Sequence, residues 1–254
     1  MLVILLAISG CKKDKDNDGL TGIPDITPAN FDWDIYILDL AGMGEDQRED
    51  AYYVSCDWLG NQSAFTQTDV LTIQFNNATP ITLQNYGYWF GEWSFAAEAM
   101  LNPGTSYNVK LFKNGTQQAS GTIKTAYRCY ANFPAYYNPS TTAELTWSLN
   151  NNNQFQTAGV SSYGEWSGEE EEYDEHFVEL SPSARSYTIP ANAVDNFGEW
   201  TEYELLVMQI NFTKSGRSAF MAVQGQGNSY EGIPTKDAYI SGLIRQARAM
   251  RKQL

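Results

Sequence analysis

The stretch Tyr107-Asn108-Val109-Lys110-Leu111-Phe112-Lys113-Asn114-Gly115-Thr116 contains a strand and the turn that ends it. Tyr107, Val109 and Leu111 alternate with Asn108 and Lys110, the period-two pattern of a strand with one buried face. Asn114-Gly115 then reverses the chain, because both residue types tolerate positive φ and suit a two-residue hairpin. A return strand runs through Ile123 and closes near Thr125. Working outward, the same grammar recurs on both sides. Phe31, Trp33, Ile35 and Ile37 alternate with Asp32 and Asp34, and Leu71, Ile73 and Phe75 with Thr72 and Gln74. Further on, Ala143, Leu145, Trp147 and Leu149 alternate with Glu144, Thr146 and Ser148. Tyr187 and Ile189 follow, then a long strand from Tyr203 to Phe212. The turn Lys214-Ser215-Gly216-Arg217 leads into Phe220 to Val223. Aromatic residues make up 14% of the chain and charged residues only 18%. That balance suits packed sheets, since aromatic and β-branched side chains fit a pleated surface. It speaks against a disordered chain. The expected class is all-β.

A second signal sits at the start of the opening strand. Leu101-Asn102-Pro103-Gly104-Thr105-Ser106-Tyr107 resembles the tyrosine corner of fibronectin type III and immunoglobulin-like domains, in which the Tyr hydroxyl bonds to backbone a few residues upstream. Phe197-Gly198-Glu199-Trp200-Thr201-Glu202-Tyr203 occupies the matching place later in the chain. The two tyrosines are 203 − 107 = 96 residues apart, about one such domain. The resemblance implies two tandem antiparallel β-sandwich domains, at 27–126 and 127–232. It implies no ligand, because this fold hosts many functions. Beyond Pro234 the period changes. Ile240, Leu243, Ile244, Ala247 and Leu254 fall at helical spacing, with Arg245, Arg248, Arg251 and Lys252 on the remaining surface. Residues 233–254 are therefore expected as an amphipathic C-terminal helix, either docked on a sheet or offered to a partner.

The first residues set an expected address. Leu2 to Gly10 is a short apolar stretch, too short to span a bilayer but suited to a signal-peptide core. It ends in Ile8-Ser9-Gly10-Cys11, which resembles the lipobox of bacterial lipoproteins, although no Lys or Arg precedes the apolar run. The resemblance implies a signal peptide at 1–10, a lipid on Cys11 and an anchor in the membrane. The charged segment after it, within 11–26, resembles the surface-export tag of some Gram-negative lipoproteins, implying the outer membrane and the cell surface. Asp14, Asp16, Asp18, Gly19 and Asp25 also have the spacing of a calcium loop. The solvated tether is the reading preferred, as Pro24 sits before Asp25 and no flanking helices are evident.

Charge and motif content narrow the function classes. A net charge of −14 repels phosphate backbones, so nucleic acid is not an expected partner. His176 is the only histidine, no nucleophile elbow accompanies it, and no phosphate-cradling glycine loop occurs. The chain is therefore read as non-enzymatic, with a paired-carboxylate glycosidase as the least favoured alternative. Cys56 and Cys129 could bridge in an oxidising compartment. However, Val54, Cys56 and Trp58 share a strand face, which suits a buried free thiol. The acidic run around Glu169, Glu170, Glu171, Glu172, Asp174 and Glu175 is read as a solvated loop. Calcium held by Glu169, Glu170, Glu172 and Asp174 is the alternative, and no other cofactor is expected.

A short phrase occurs three times: Phe90-Gly91-Glu92-Trp93-Ser94, Tyr163-Gly164-Glu165-Trp166-Ser167 and Phe197-Gly198-Glu199-Trp200-Thr201. An indole offers a flat apolar face to a sugar ring, and a nearby carboxylate accepts hydrogen bonds from hydroxyls. The same residues also turn a sandwich corner and fill its core. Trp89 with Glu92 and Trp93, and Tyr163 with Glu165 and Trp166, are accordingly the candidate carbohydrate-binding residues. The expected role is adhesion or glycan capture at the cell surface. The alternative is an accessory subunit of an outer-membrane assembly, docked through the C-terminal helix.

Overall fold

A computed structural model of the chain describes residues 27, 29–39, 41, 51–89, 92–164, 173–198 and 201–230. Cys11, the segments 1–10 and 11–26, and the helix expected at 233–254 lie outside these residues. Among the described residues the protein is all-β, with one single-turn 3-10 helix, Gln62–Ala64. The strands are β1 (Trp33–Asp39), β2 (Ala51–Trp58), β3 (Leu71–Phe75), β4 (Ile81–Trp89), β5 (Glu92–Met100), β6 (Ser106–Lys113) and β7 (Thr116–Lys124). After them come β8 (Cys129–Asn132), β9 (Ala143–Leu149), β10 (Phe155–Tyr163), β11 (Tyr173–Leu180), β12 (Ser186–Ile189), β13 (Glu202–Ser215) and β14 (Ser218–Tyr230).

The opening hairpin forms as its residues dictate. Asn114 and Gly115 both take positive φ, at 49° and 81°, and join β6 to β7 with Lys113 opposite Thr116. The tyrosine corner forms too: the Asn102 backbone N–H donates to the Tyr107 hydroxyl at 2.9 Å. Tyr203 holds the same place, second residue of β13, with its ring edge-on to Tyr137.

Strand order repeats along the chain. β1, β2 and β5 lie side by side, and β3, β6 and β7 form the facing layer. β4 passes from one to the other, its residues Ile81–Leu83 pairing with β3 and Gln84–Trp89 with β5. The second half places β8, β9 and β12 in a separate three-stranded sheet, facing β11, β10, β13 and β14. Apolar side chains fill the space between layers in each half. Ile35, Val54, Phe95, Ile73, Val109 and Leu111 belong to one cluster, and Leu145, Trp147, Val160, Leu205 and Val207 to another.

One pairing departs from the expected antiparallel arrangement. β1 runs parallel to β14, Trp33 beside Ser218 through to Asp39 beside Gln224. A parallel pair needs a long crossover, and nearly the whole described chain lies between these strands, so the connection is no obstacle. The pairing makes the layers one sheet of eleven strands, in the order β11-β10-β13-β14-β1-β2-β5-β4-β3-β6-β7. It also corrects the reading of β1 as a strand with one wet face. β1 is central, and all seven of its residues are buried, Asp34 and Asp39 at 0% exposure.

The junction between the halves is polar and saturated. Arg128, just before β8, grips the buried Asp39 carboxylate at the end of β1, Nε to Oδ2 at 2.6 Å and the second nitrogen to Oδ1 at 3.0 Å. Asn153 holds Tyr127 from both sides: its Oδ1 accepts from the Tyr127 N–H at 2.8 Å and its Nδ2 donates to the Tyr127 carbonyl at 3.1 Å. Asn211 donates to the carbonyls of Lys124 and Thr125 and accepts from the Gln154 N–H.

Candidate functional site: an aromatic edge at the β4–β5 hairpin

The first copy of the repeated phrase spans the turn from β4 to β5, with Trp89 opposite Glu92 and Tyr88 opposite Trp93 in the ladder. The ladder from β3 reaches only Leu83, so Gln84–Trp89 pairs on the β5 side alone among the described ladders. A bulge between Asn85 and Gly87 breaks the register. Gly87 sits at φ 90°, and its N–H donates to the Asn85 side chain at 2.8 Å. A bulge on an edge strand re-aims side chains, and here Tyr86 and Tyr88 stand out at 48% and 52% exposure.

Behind them the rings continue inward. Tyr88 lies 6.0 Å from Trp93, Trp93 6.5 Å from Phe65, Phe65 5.2 Å from Trp58, and Trp58 4.9 Å from Trp33. Lys113 Nζ sits 4.1 Å over the Phe65 ring and forms an ion pair with Asp69 at 3.1 Å. An exposed ring backed by packed rings loses little conformational freedom when a ligand stacks on it.

The expectation that Trp93 is an exposed platform is corrected. Trp93 is 9% exposed, inside the core cluster, and its Nε1 donates to the Gln62 carbonyl at 3.2 Å. Its cross-strand partner Tyr88 shares that face, the two rings 6.0 Å apart, but Trp93 is buried in the core cluster while Tyr88 stays half exposed. Glu92 is half-buried beside it. The exposed residues, Tyr86 and Tyr88, were not singled out from sequence. The density of rings in Tyr86-Gly87-Tyr88-Trp89-Phe90 was the available signal.

The second copy lies elsewhere. Tyr163 ends β10, half-buried, its ring 5.2 Å from Tyr173, while Glu165 and Trp166 lie outside the described residues. Five strands stand between β10 and β4, roughly 29 Å at about 4.8 Å per strand. The two copies do not converge on one site. Of the third copy, Phe197 and Gly198 are described, and Gly198, at φ 124°, helps turn the corner before β13.

Of the acidic run, Glu169, Glu170 and Glu172 lie outside the described residues. Both Asp174 oxygens accept backbone N–H groups, Oδ1 from Glu175 at 3.0 Å and Oδ2 from Asp195 at 2.8 Å. Among the described residues no group of three His, Cys, Asp or Glu side chains is placed to hold a metal. His176 Nε2 hydrogen-bonds the Tyr187 hydroxyl at 2.8 Å. Cys56 and Cys129 are separate, buried free thiols. A groove of about 340 Å³ opens at the junction of the halves, over Asn153, Asn211 and Lys124. The two Asn side chains on its floor are committed to the junction bonds above.

No known protein family matches the chain, and no curated protein does either. Solved structures show loose likenesses. One, described as a cytokine receptor complex, has 7% identity and a TM-score of 0.28, over 78% of this chain and 96% of the other. A segment of two fibronectin type III domains from chicken tenascin has 14% identity and a TM-score of 0.26, over 71% and 92% respectively.

Proposed function

We propose that the chain is a non-enzymatic binding module for surface glycans, built on two fibronectin type III-like sandwiches at 27–126 and 127–232. The sandwich reading draws support from the repeated strand order and from the hydrogen-bonded corner at Tyr107. The observation that carries the functional reading is the exposed pair Tyr86 and Tyr88 on the free edge of β4, backed by Trp93. Tyrosine faces stack on the C–H faces of a pyranose, and their hydroxyls bond to its rim. Glu92, at the same hairpin, is the neighbour through which sugar hydroxyls would be engaged, while the Trp89 side chain lies outside what the structure describes. The proposed address follows from the Cys11 motif: a lipid anchor in the outer membrane, with 11–26 as tether and the sandwiches held at the cell surface.

The test is a glycan array probed with the chain carrying Cys11→Ser, beside the same chain with Tyr86→Ala and Tyr88→Ala. Both side chains are half exposed, so the double variant should unfold at the parental temperature. Specific binding that the variant loses supports the reading. An array that stays silent with the parent, or binding that survives both substitutions, overturns it.

A further inference from the structure

The parallel pairing of β1 with β14 fixes how the chain meets tension. These are the first and last described strands, and they lie side by side, in register from Trp33 beside Ser218 to Asp39 beside Gln224. A pull on the chain before β1 enters at Trp33, at one end of the ladder. A pull on the chain beyond β14 enters at Tyr230, past the other end. The two forces oppose each other along the strand direction, so the strands must slide past one another. The bonds of a parallel ladder are evenly spaced along the strands, and in this geometry all of them carry load at the same time. In a ladder pulled open from one end, they break one by one.

The ladder is fastened at both ends. At the entry, the Arg217 carbonyl accepts from the Asp32 and Trp33 N–H groups at 2.7 and 3.2 Å. The Arg217 side chain donates to the Ala29 carbonyl at 3.1 Å and pairs with the Asp32 carboxylate at 2.9 Å. At the far end, Arg128 holds Asp39. The flanks are held as well, since β2 pairs with every residue of β1 and β13 with every residue of β14. All of β1, and β14 from Ser218 to Gly225, are buried. Water is therefore poorly placed to replace a ladder bond as it loosens, and hydrogen bonds in a low-dielectric interior are stronger than in water.

The ladder also takes most of the chain out of the path of the load. In two sandwiches strung end to end, tension crosses each in turn, through the connection between β7 and β8. Here β1 belongs to the first half and β14 to the second, and load passes directly between them across one strand spacing, about 4.8 Å. The chain from β2 to β13 is spared end-to-end tension until the ladder fails.

We propose that the chain is a load-bearing element, held before β1 and beyond β14, with the β1–β14 ladder as a shear clamp that locks both halves under tension. The clamp is independent of the tyrosine edge and of any glycan bound there.

Single-molecule pulling on the full chain, carrying Cys11→Ser, tests it by changing only the direction of the force. Handles are attached to thiols introduced at the exposed positions 29, 214 and 228, since Cys56 and Cys129 are buried. Ala29→Cys with Asn228→Cys loads the ladder lengthwise, because residue 228 lies ten residues beyond Ser218, roughly 33 Å along β14. Ala29→Cys with Lys214→Cys puts both handles at the same end of the ladder, which then opens bond by bond. At one loading rate, the lengthwise pair should need a several-fold larger unfolding force. Equal forces, or a weaker lengthwise pair, overturn the proposal. Urea unfolding checks that both variants keep the parental stability. Where a handle lowers the urea midpoint, Ser229→Cys or Ser215→Cys, at the neighbouring position, restores the same geometry.

Discussion

Cys56 and Cys129 show what burial does to a single side chain. Burial pushes the Cys56 thiol well above its ordinary range, with the Asp57 and Asp34 charges adding to it. Burial also pushes Cys129 from 9.0 to about 12. Both thiols should therefore be inert to Ellman's reagent at pH 8 in the folded chain and react once it is unfolded. Stability has a matching pH signature. Below about pH 9 the Cys129 thiol is protonated in both states and contributes no slope. Above pH 9 only the unfolded thiol ionises, so stability falls by about 1.4 kcal/mol per pH unit per such group. The fall levels off once the folded thiol also ionises near pH 12. Tyr137, raised from 10.0 to about 12 by burial, adds to the decline. Urea unfolding at pH 8, 9 and 10 measures it, and a flat profile would remove the burial argument.

At the scale of elements, β10 was the hardest strand to see. Phe155-Gln156-Thr157-Ala158-Gly159-Val160-Ser161-Ser162-Tyr163 has neither an apolar run nor alternation, yet its seven interior residues are all buried. The Gln156 amide finds partners inside: its Oε1 accepts from Trp147 Nε1 at 3.2 Å and from Gln209 Nε2 at 3.1 Å. Gly159 lets β11 approach so closely that a Cβ there would lie 2.0 Å from the His176 carbonyl oxygen. Gly159→Ala must push the edge strand away, and should cost about 3 kcal/mol in chemical denaturation. A cost below about 0.5 kcal/mol would show that β11 yields freely. The β6–β7 hairpin, by contrast, was legible, because Asn114-Gly115 and the alternation around it are local rules. Trp93 was not, because its sequence neighbourhood reads the same for a core residue and a surface one.

For the whole molecule, the β1–β14 ladder and the Asp39–Arg128 pair decide whether the halves act as one body. A fully buried carboxylate stripped of its cation is strongly destabilising. Arg128→Met should therefore lower unfolding free energy by about 3 kcal/mol. The parent should unfold in one cooperative step, with circular dichroism and tryptophan fluorescence coinciding. Two resolved transitions in the parent would mean that the shared sheet does not couple the halves.

The sequence by itself determined the all-β class, the hairpin at Asn114-Gly115, the corner at Tyr107 and the free-thiol setting of Cys56. Each rests on contacts between residues close in the chain, or on a period that one strand displays alone. Only the tertiary structure decided that β1 lies parallel to β14, that Asp34 and Asp39 are buried, and that Trp93 is core while Tyr86 and Tyr88 face solvent. Those outcomes depend on which strand becomes the neighbour of which. Pairing between strands at opposite ends of a chain is set by packing of whole layers, and no local pattern encodes it.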